Sequence, residues 1–279
     1  MWKNCPVQWR LTYVDDLAPK ESSIHLTFGK AMHSTIQEWL QKGYASSFES
    51  ANKMDWASVL ETHMKTIFAK DTRVDERGVK IFPSDIDTLV EFYHDGVAIL
   101  DHVQKKYGKD IFQLKGFELV GVEIPLEVKL NDGVDFVGYI DVVMRNPYTN
   151  EIEIIDLKTS TRGWNDYQKK DESKLSQLLL YKHFYSEKFG VPFDKINVHF
   201  IILKRKINEH SDWEQRRVVK FSPACGKISV KKTTTSFNAF VNECFTPMGE
   251  YKVNGIKATP SKGACRYCPF ASRPDLCKK

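Results

Sequence analysis

The chain has 279 residues, 42% of them hydrophobic and 28% charged, with a formal net charge of +5. This composition is ordinary for a globular protein with a substantial core, and the mild positive charge permits a polyanionic partner without requiring one. No apolar run is long enough to span a membrane, the start "MWKNCPVQWR" lacks the pattern of a signal peptide, and no G-x-x-x-x-G-K-[ST] phosphate loop occurs. We therefore expect no membrane span and no built-in nucleotide-driven motor. We also expect a reducing cytoplasm, where six cysteines are thiols or metal ligands rather than disulfides.

The first 110 residues carry helical periodicity. In "GKAMHSTIQEWLQKG", apolar residues such as Met32 and Ile36 recur at helical spacing. Residues 50–70 and 84–108 carry two more apolar stripes of this kind, and the second ends in Lys-Lys before a glycine, as helices commonly do. The pattern predicts an N-terminal helical region that continues to about residue 110.

The pattern then changes to strands. Three β-like runs, "FELVGVEIPLEVKL", "VDFVGYIDVVMR" and "EIEIIDLKTS", are separated by turn sequences at 131–133 and 146–150. A helix "SKLSQLLLYKHFYSEKFG" follows, then strands "INVHFIILKRK" and "EQRRVVKFS", and a last helix at about 228–245 before a cysteine-rich tail. This order predicts an α/β fold with a mixed central β-sheet flanked by helices.

The strand "IEIIDLKTS" carries an unexpected pair of charges. Alternation along a strand places Asp156 and Lys158 on the same face, although the strand is otherwise apolar. An isolated Asp-x-Lys is usually a salt-bridged or solvent-facing strand end. Asp141, in "GYIDVV", lies on the preceding strand at a spacing that lets the two carboxylates converge across a hairpin.

Two facing carboxylates repel one another unless a cation lies between them, and Mg²⁺ with its preference for oxygen ligands is a common solution. The backbone carbonyl of Leu157 is a further candidate ligand. Lys158 would then stand beside the ion, able to orient or deprotonate a water or to hold a phosphate. The pattern indicates half of a phosphodiester-cleaving site.

These residues together resemble the PD-(D/E)xK nuclease superfamily, and within it the RecB-like branch that includes the Cas4-like and AddB-type iron–sulfur exonucleases. The matching motifs are "FGKAMHSTIQEW" with His33, "GYID" with Asp141, "IIDLKTS" with Asp156 and Lys158, and "QLLLY" with Gln177 and Tyr181.

The resemblance implies that His33, Asp141, Asp156 and the Leu157 carbonyl bind Mg²⁺ or Mn²⁺, while Lys158 is catalytic. It also implies that two residues of one helix face, Gln177 and Tyr181, line the site, and that Gln177 contacts Lys158 or the scissile phosphate. Other interpretations remain open: His33 as a satisfied core or surface histidine, Asp141 as an exposed strand residue, and Tyr181 as core packing. Glu123 in "GVEIPLEV" resembles a recurring glutamate of the branch, which would support a metal ligand or bind a second metal ion. Glu118 and Glu127 compete for that role.

The cysteines of the tail, Cys265, Cys268 and Cys277, are spaced C-x₂-C-x₈-C. A C-x₂-C pair brings two thiolates to one metal from a tight turn, and three cysteines need a fourth ligand. Cys5 resembles the early Cys-Pro of the branch's iron–sulfur members, which implies a structural [4Fe–4S] cluster held by these four cysteines.

Two features depart from that branch. Its last gap is usually shorter than x₈, and only four residues precede Cys5. Zn²⁺ would satisfy the same four ligands. Cys225 and Cys244 fit no such spacing and are expected to be ordinary buried thiols.

Positive residues follow the catalytic strands and are candidate DNA contacts. They are Lys204, Arg205, Lys206, Arg216, Arg217, Lys231 and Lys232. Charge runs are equally often solvated surface. Trp213, close to them in sequence, is either a stacking platform for an unpaired base or a core residue.

We therefore expect one nuclease domain over residues 1–279. Its predicted parts are an N-terminal Cys and His segment (1–45), a helical insertion (46–115), a catalytic core of restriction-endonuclease type (116–222), and a C-terminal helix with the Cys cluster (223–279). The predicted activity is metal-dependent hydrolysis of DNA by an exonuclease acting on ends or single strands. A separate helicase or recombination protein is a candidate partner, and a phage-encoded enzyme would work in the host cytoplasm. Two alternatives remain: a non-catalytic nucleic-acid-binding protein on the same fold with a Cys₄ metal site, and a restriction-type endonuclease.

Overall fold

The structure is a computed structural model that describes residues 1–19, 22–208 and 210–277. The chain divides into two compact units. The smaller unit comprises Met1–Glu21, Lys129–Phe136 and Thr234–Lys279, and the larger unit comprises Ser22–Val128 and Val137–Thr233.

Most of the helices lie in the larger unit. The helices are α1 (Pro6–Trp9), α2 (Ile24–Ala45), α3 (Phe48–Ala51), α4 (Trp56–Asp71), α5 (Ile86–Gln104), α6 (Lys106–Phe112), α7 (Asp166–Lys170), α8 (Glu172–Phe189), α9 (Lys227–Cys244) and α10 (Lys262–Cys265). A π-helical turn, Arg10–Val14, directly follows α1, and a 3₁₀ turn, Phe193–Lys195, precedes the fourth strand of the main sheet.

Seven strands form two sheets. They are β1 (Arg73–Val74), β2 (Lys80–Ile81), β3 (Glu118–Lys129), β4 (Asp135–Arg145), β5 (Ile152–Ser160), β6 (Ile196–Lys204) and β7 (Val218–Phe221). The main sheet has the order β3-β4-β5-β6-β7. Strands β4 and β5 pair antiparallel, β5 and β6 pair parallel across the crossover helix α8, and β6 and β7 pair antiparallel. The predicted mixed α/β sheet flanked by helices is confirmed.

Two short elements differ from the sequence prediction. The stretch predicted to continue helical contains the β1–β2 hairpin, whose turn includes Gly78 at φ 81°. This backbone conformation favours glycine and ends the helical pattern locally. The five-residue helix α7 was not predicted, and it begins with a capping box between Asn165 and Gln168.

The two faces of the main sheet are covered by different helices. The residues Ile155 and Leu157 of β5 belong to a buried apolar cluster with α2, α4 and α5. Side chains alternate along a strand, so Asp156 and Lys158 belong to the other face. There the ammonium of Lys158 contacts Gln177 of α8.

Helix α2 approaches β5 closely at a glycine. A Cβ on Gly29 would lie 3.3 Å from Oγ1 of Thr159, so the missing side chain lets the helix and strand approach. One turn later α2 presents His33. The packing of α2 therefore determines where this imidazole lies relative to the sheet.

Candidate active site

Two buried carboxylates face one another on neighbouring strands. The pairing of Val142 with Ile155 places Asp141 next to Asp156, and the two are 8% and 1% exposed. Oδ2 of Asp141 accepts a hydrogen bond of 2.6 Å from the backbone N–H of Leu157. The β4–β5 hairpin thus brings together the two carboxylates that the sequence pairs.

Helix α2 contributes two side chains to this place. Nδ1 of His33 lies 3.5 Å from Oδ2 of Asp141. One turn further, the buried amide of Gln37 donates to Oε1 of Glu123 at 2.7 Å and to the backbone carbonyl of Asp141 at 3.1 Å. Sequence reasoning missed Gln37, although its position four residues after His33 placed it on the same helix face.

Glu123 of β3 completes the group. Its backbone has φ 49°, in the left-handed region, which costs roughly 1–3 kcal/mol for a residue with a side chain and is concentrated at functional sites. The potential ligand atoms of His33, Glu123 and Asp141 all lie within 4.8 Å of one another. The competing Glu118 forms an ion pair with Arg145 at 2.7 Å instead.

The donor set suits a divalent cation. One imidazole nitrogen and two carboxylates converge, and oxygen-rich sets of this kind suit Mg²⁺ or Mn²⁺. Beside them, Oδ2 of Asp156 is buried against the ammonium of Lys158 and has no further hydrogen-bond partner among the described residues. Burial of a carboxylate is costly, and a metal ion would add to the stabilisation that the lysine provides.

Lys158 is held in a chain of polar contacts. Its Nζ forms an ion pair with Oδ2 of Asp156 at 2.7 Å and donates to Oε1 of Gln177 at 3.1 Å. Nε2 of Gln177 donates to the hydroxyl of Tyr181 at 3.0 Å, and that hydroxyl donates to the carbonyl of Tyr139 at 2.9 Å. Helix α8 therefore fixes the position of the ammonium.

A glycine makes room for this chain. A Cβ on Gly138 would lie 2.6 Å from the ring of Tyr181. Contacts this short are not observed for real side chains, so the tyrosine can pack against β4 only because Gly138 has none.

The electrostatics of the site follow from burial. Burial raises the pKa of Asp156 to about 6, Lys158 opposes this, and the charge of Asp141 adds to it. Burial alone would lower the pKa of His33, but the hydrogen bond and charge of Asp141 and the charge of Asp156 outweigh it and raise that pKa. Without a cation the site therefore retains protons that a metal ion would displace.

Four cysteines lie together in the smaller unit. Cys5, Cys265, Cys268 and Cys277 line one small cavity, and its other lining residues are mainly apolar. The N–H of Cys268 donates to the carbonyl of Cys265 at 3.3 Å in a tight turn after α10.

The two remaining cysteines are not among the residues that line this cavity. Cys225 is only partly buried, so the prediction of a buried thiol is wrong for this residue. Its Sγ lies 3.7 Å from Nζ of Lys182, in the larger unit. Burial raises the pKa of Cys244 to about 12, which keeps it a thiol.

The basic residues near the sheet divide into two kinds. The prediction of a DNA contact for Arg205 is wrong, because its guanidinium is buried, lies 2.9 Å from Asp95 and stacks over the ring of Phe92. Lys206 also pairs with Asp95, at 3.1 Å, but keeps a partly exposed side chain. Lys204 forms no ion pair among the described residues.

The other candidate DNA contacts remain accessible in part. Arg216 is exposed, whereas Arg217 is partly buried and donates to the backbone carbonyl of Arg205. Lys232 pairs with Glu172. The indole of Trp213 is 81% exposed, so it is not a core residue.

Paired carboxylates and an adjacent lysine on a mixed sheet, with a histidine from a helix packed against it, define a class of site suited to metal-assisted hydrolysis. The family model of the PD-(D/E)XK nuclease superfamily matches residues 2–273, and the chain therefore belongs to this superfamily.

Other comparisons add little. No curated protein matches the chain. The crystal structure of protein VC1899 from Vibrio cholerae is similar over 69% of this chain, with 11% sequence identity and a TM-score of 0.24, and the match spans 49% of that chain, about half its length. Within the described residues, no helix has the length and apolar character to cross a membrane.

Proposed function

We propose that the protein is a metal-dependent DNA exonuclease of the RecB-like, Cas4-like branch, acting on DNA ends or single strands. The observation that carries the proposal is the position of Lys158. Its ammonium is fixed between Asp156 and Gln177, on the strand that faces Asp141. Burial raises the pKa of Asp156, and carboxyl groups with raised pKa values are concentrated at catalytic sites, which favours an enzyme over a binding protein.

His33, Glu123, Asp141 and Asp156 would hold the ion, together with the carbonyl of Leu157 as the sequence predicts. When bound, Mg²⁺ or Mn²⁺ supplies a Lewis acid and lowers the pKa of a coordinated water.

Side chains of the protein position the water, stabilise charge and hold the ligands. Lys158, held by Gln177, orients or deprotonates the attacking water and stabilises the charge that develops on the phosphate. The hydroxyl of Tyr181 keeps the amide of Gln177 in place. Gln37 holds Glu123 toward the ion.

The activity is tested with end-labelled single- and double-stranded DNA and with closed circular DNA, each with Mg²⁺, Mn²⁺ or EDTA. We expect metal-dependent loss of the linear substrates and intact circles. Lys158→Ala should reduce the rate by about 10²–10⁴-fold, the range typical of a positioned proton-transfer or charge-stabilising group. Lys188→Ala, at an exposed position of the same helix that carries Gln177, is the matched control.

Four results would contradict the proposal. Cleavage in EDTA, or full activity of Lys158→Ala, would exclude the mechanism. Defined cuts in closed circles would identify a restriction-type endonuclease. DNA binding without cleavage in either metal would identify a non-catalytic protein.

We also propose that Cys5, Cys265, Cys268 and Cys277 hold a [4Fe–4S] cluster with a structural role. Their shared, mainly apolar cavity supports this, since thiolates in such surroundings suit an iron–sulfur cluster. Anaerobically purified protein should be brown, with a broad absorption at about 400 nm. Cys268→Ser should lose colour and iron, whereas the control Cys225→Ser should keep both. A colourless protein with stoichiometric zinc would show the alternative Cys₄ zinc site.

A further inference from the structure

A basic pocket opens where β6 ends in the larger unit. It has a volume of about 580 Å³ and is lined by Arg162, Lys204, Lys206, Asn208, His210 and Gln215, with Ile207. Among the described residues that line it there is no carboxylate. Three of these side chains are cationic, so the described part of the wall is positively charged.

Two of its cations lack a carboxylate partner. Among the described residues, neither Arg162 nor Lys204 lies within ion-pair distance of an acidic group, whereas Lys206 pairs with Glu91 at 2.8 Å. Partial burial and the charge of Arg217 lower the pKa of Lys204, so this ammonium lies in unfavourable surroundings. An anion in the pocket would relieve that cost.

The pocket lies beside the catalytic strand. In the parallel pairing of β5 and β6, Lys158 is opposite Ile202 and Ser160 is opposite Lys204. Paired residues share a face, so Lys204 and Lys158 lie on the same side of the sheet. By strand geometry their Cα atoms are about 8 Å apart, which is comparable with two nucleotides of one DNA strand.

A fixed loop connects the catalytic strand to the pocket. The hydroxyl of Ser160 donates to the carbonyl of Gly163 and accepts from its N–H, both at 3.1 Å. Gly163 has φ 94°, and a Cβ there would lie 2.8 Å from Cδ of Lys204. The glycine therefore lets the lysine stem pass under the loop, and Arg162 is held at the rim of the same pocket.

We propose that this pocket, the phosphate pocket, binds a phosphate of the DNA strand close to the one that is cleaved. This rests on the proposed nuclease function. Arg and Lys with amide donors suit phosphate oxygens, and among the described lining residues the imidazole of His210 is the only aromatic ring. Binding here is independent of sequence, and the phosphate is either an internal phosphodiester or the terminal phosphate of an end.

The test measures binding separately from cleavage. Lys204→Met keeps an apolar stem beside Gly163 and removes the charge. Arg162→Gln removes the second charge, and Lys188→Met is the control. Fluorescence anisotropy in EDTA gives the Kd for single-stranded oligonucleotides at several salt concentrations. Each pocket variant should weaken binding roughly tenfold and reduce the salt slope by about 0.7.

Oligonucleotides with terminal phosphates or hydroxyls distinguish the two sources. An equal loss with both indicates an internal phosphodiester, and a loss confined to the phosphorylated ends indicates a terminal phosphate. Unchanged affinity and salt slope in both variants, with wild-type thermal unfolding, would overturn the phosphate pocket. Because no cleavage is needed, failure of the nuclease proposal and failure of the pocket give different results.

Discussion

Replacement of Asp156 by asparagine should stabilise the metal-free protein while abolishing its activity. Burial raises the pKa of this carboxyl from 3.8 to about 6. At about 1.4 kcal/mol per pH unit, keeping it ionised in the folded protein costs at most about 3 kcal/mol. Asn removes the charge and keeps the shape, although it gives up the ion pair with Lys158.

The raised pKa of Asp156 determines how the effect of the substitution on stability changes with pH. A carboxyl whose pKa is raised in the folded state favours folding below its unfolded pKa, and this stability is lost as the pH rises through the folded pKa. The advantage of Asp156→Asn over wild type should therefore be absent below about pH 4, grow between pH 4 and 6, and stay constant above that.

Thermal unfolding in EDTA from pH 4 to 8 measures this. For a chain of this size about 3 kcal/mol corresponds to roughly 6–12 °C, so an increase of 5–10 °C at pH 8 is expected. Asp132→Asn, at a site with an 86% exposed side chain, should change nothing. Mg²⁺ should then stabilise wild type but not Asp156→Asn. A difference that does not vary with pH, or none at pH 8, would refute the assignment of Asp156 as a buried charge that awaits a cation.

Two further predictions concern positioning and acid stability. Gln37→Ala should weaken Mg²⁺ affinity about 10–100-fold by releasing Glu123, measured by isothermal titration, and an unchanged affinity would contradict this role. For Glu153, burial opposes ionisation, but the hydrogen bond and charge of His199 outweigh it and lower the pKa. The stability that Glu153 contributes is present above its unfolded pKa of about 4.3. It is lost as the pH falls through the lower pKa of the folded state. Urea unfolding should therefore show Glu153→Gln as destabilised at pH 7 and close to wild type near pH 3, and a deficit that is constant with pH would contradict the pairing.

The elements that position the site could be predicted because their patterns are local. Alternation defined β4 and β5, and the short turn between them required that Asp141 and Asp156 approach one another. The spacing of Gln177 and Tyr181 placed both on one face of α8. Each of these predictions needed only the chain within a few residues of the motif.

The sequence did not show which glutamate of β3 belongs to the site. Three glutamates of that strand were candidates, and Glu123 differs from the others by a left-handed backbone and a contact with Gln37, 86 residues away. Neither feature can be recognised from the hydrophobic pattern of the sequence. Tertiary packing, which the sequence pattern does not show, selects Glu123.

Strand alternation indicated that Arg205 is buried, but the charge run around it favoured a surface position. The run "LKRK" at 203–206 suggested surface, yet Leu203 is buried and Arg205 is two residues further on, so alternation sends both to the core side. There Arg205 meets Asp95 of α5, 110 residues away in sequence.

The same alternation explains how one charge run serves both sides of the sheet. Lys204 points to the catalytic face, where no carboxylate pairs with it among the described residues, while Arg205 anchors the strand end to α5 through Asp95 and Phe92. Its backbone N–H also donates to the carbonyl of Ser160 at 2.9 Å. The buried arginine therefore fixes the strand end from which Lys204 reaches the phosphate pocket. A lysine on a fixed strand end is preorganised, so it loses less conformational entropy when it binds an anion. Replacing Arg205 would disturb the pocket without removing any group that contacts DNA.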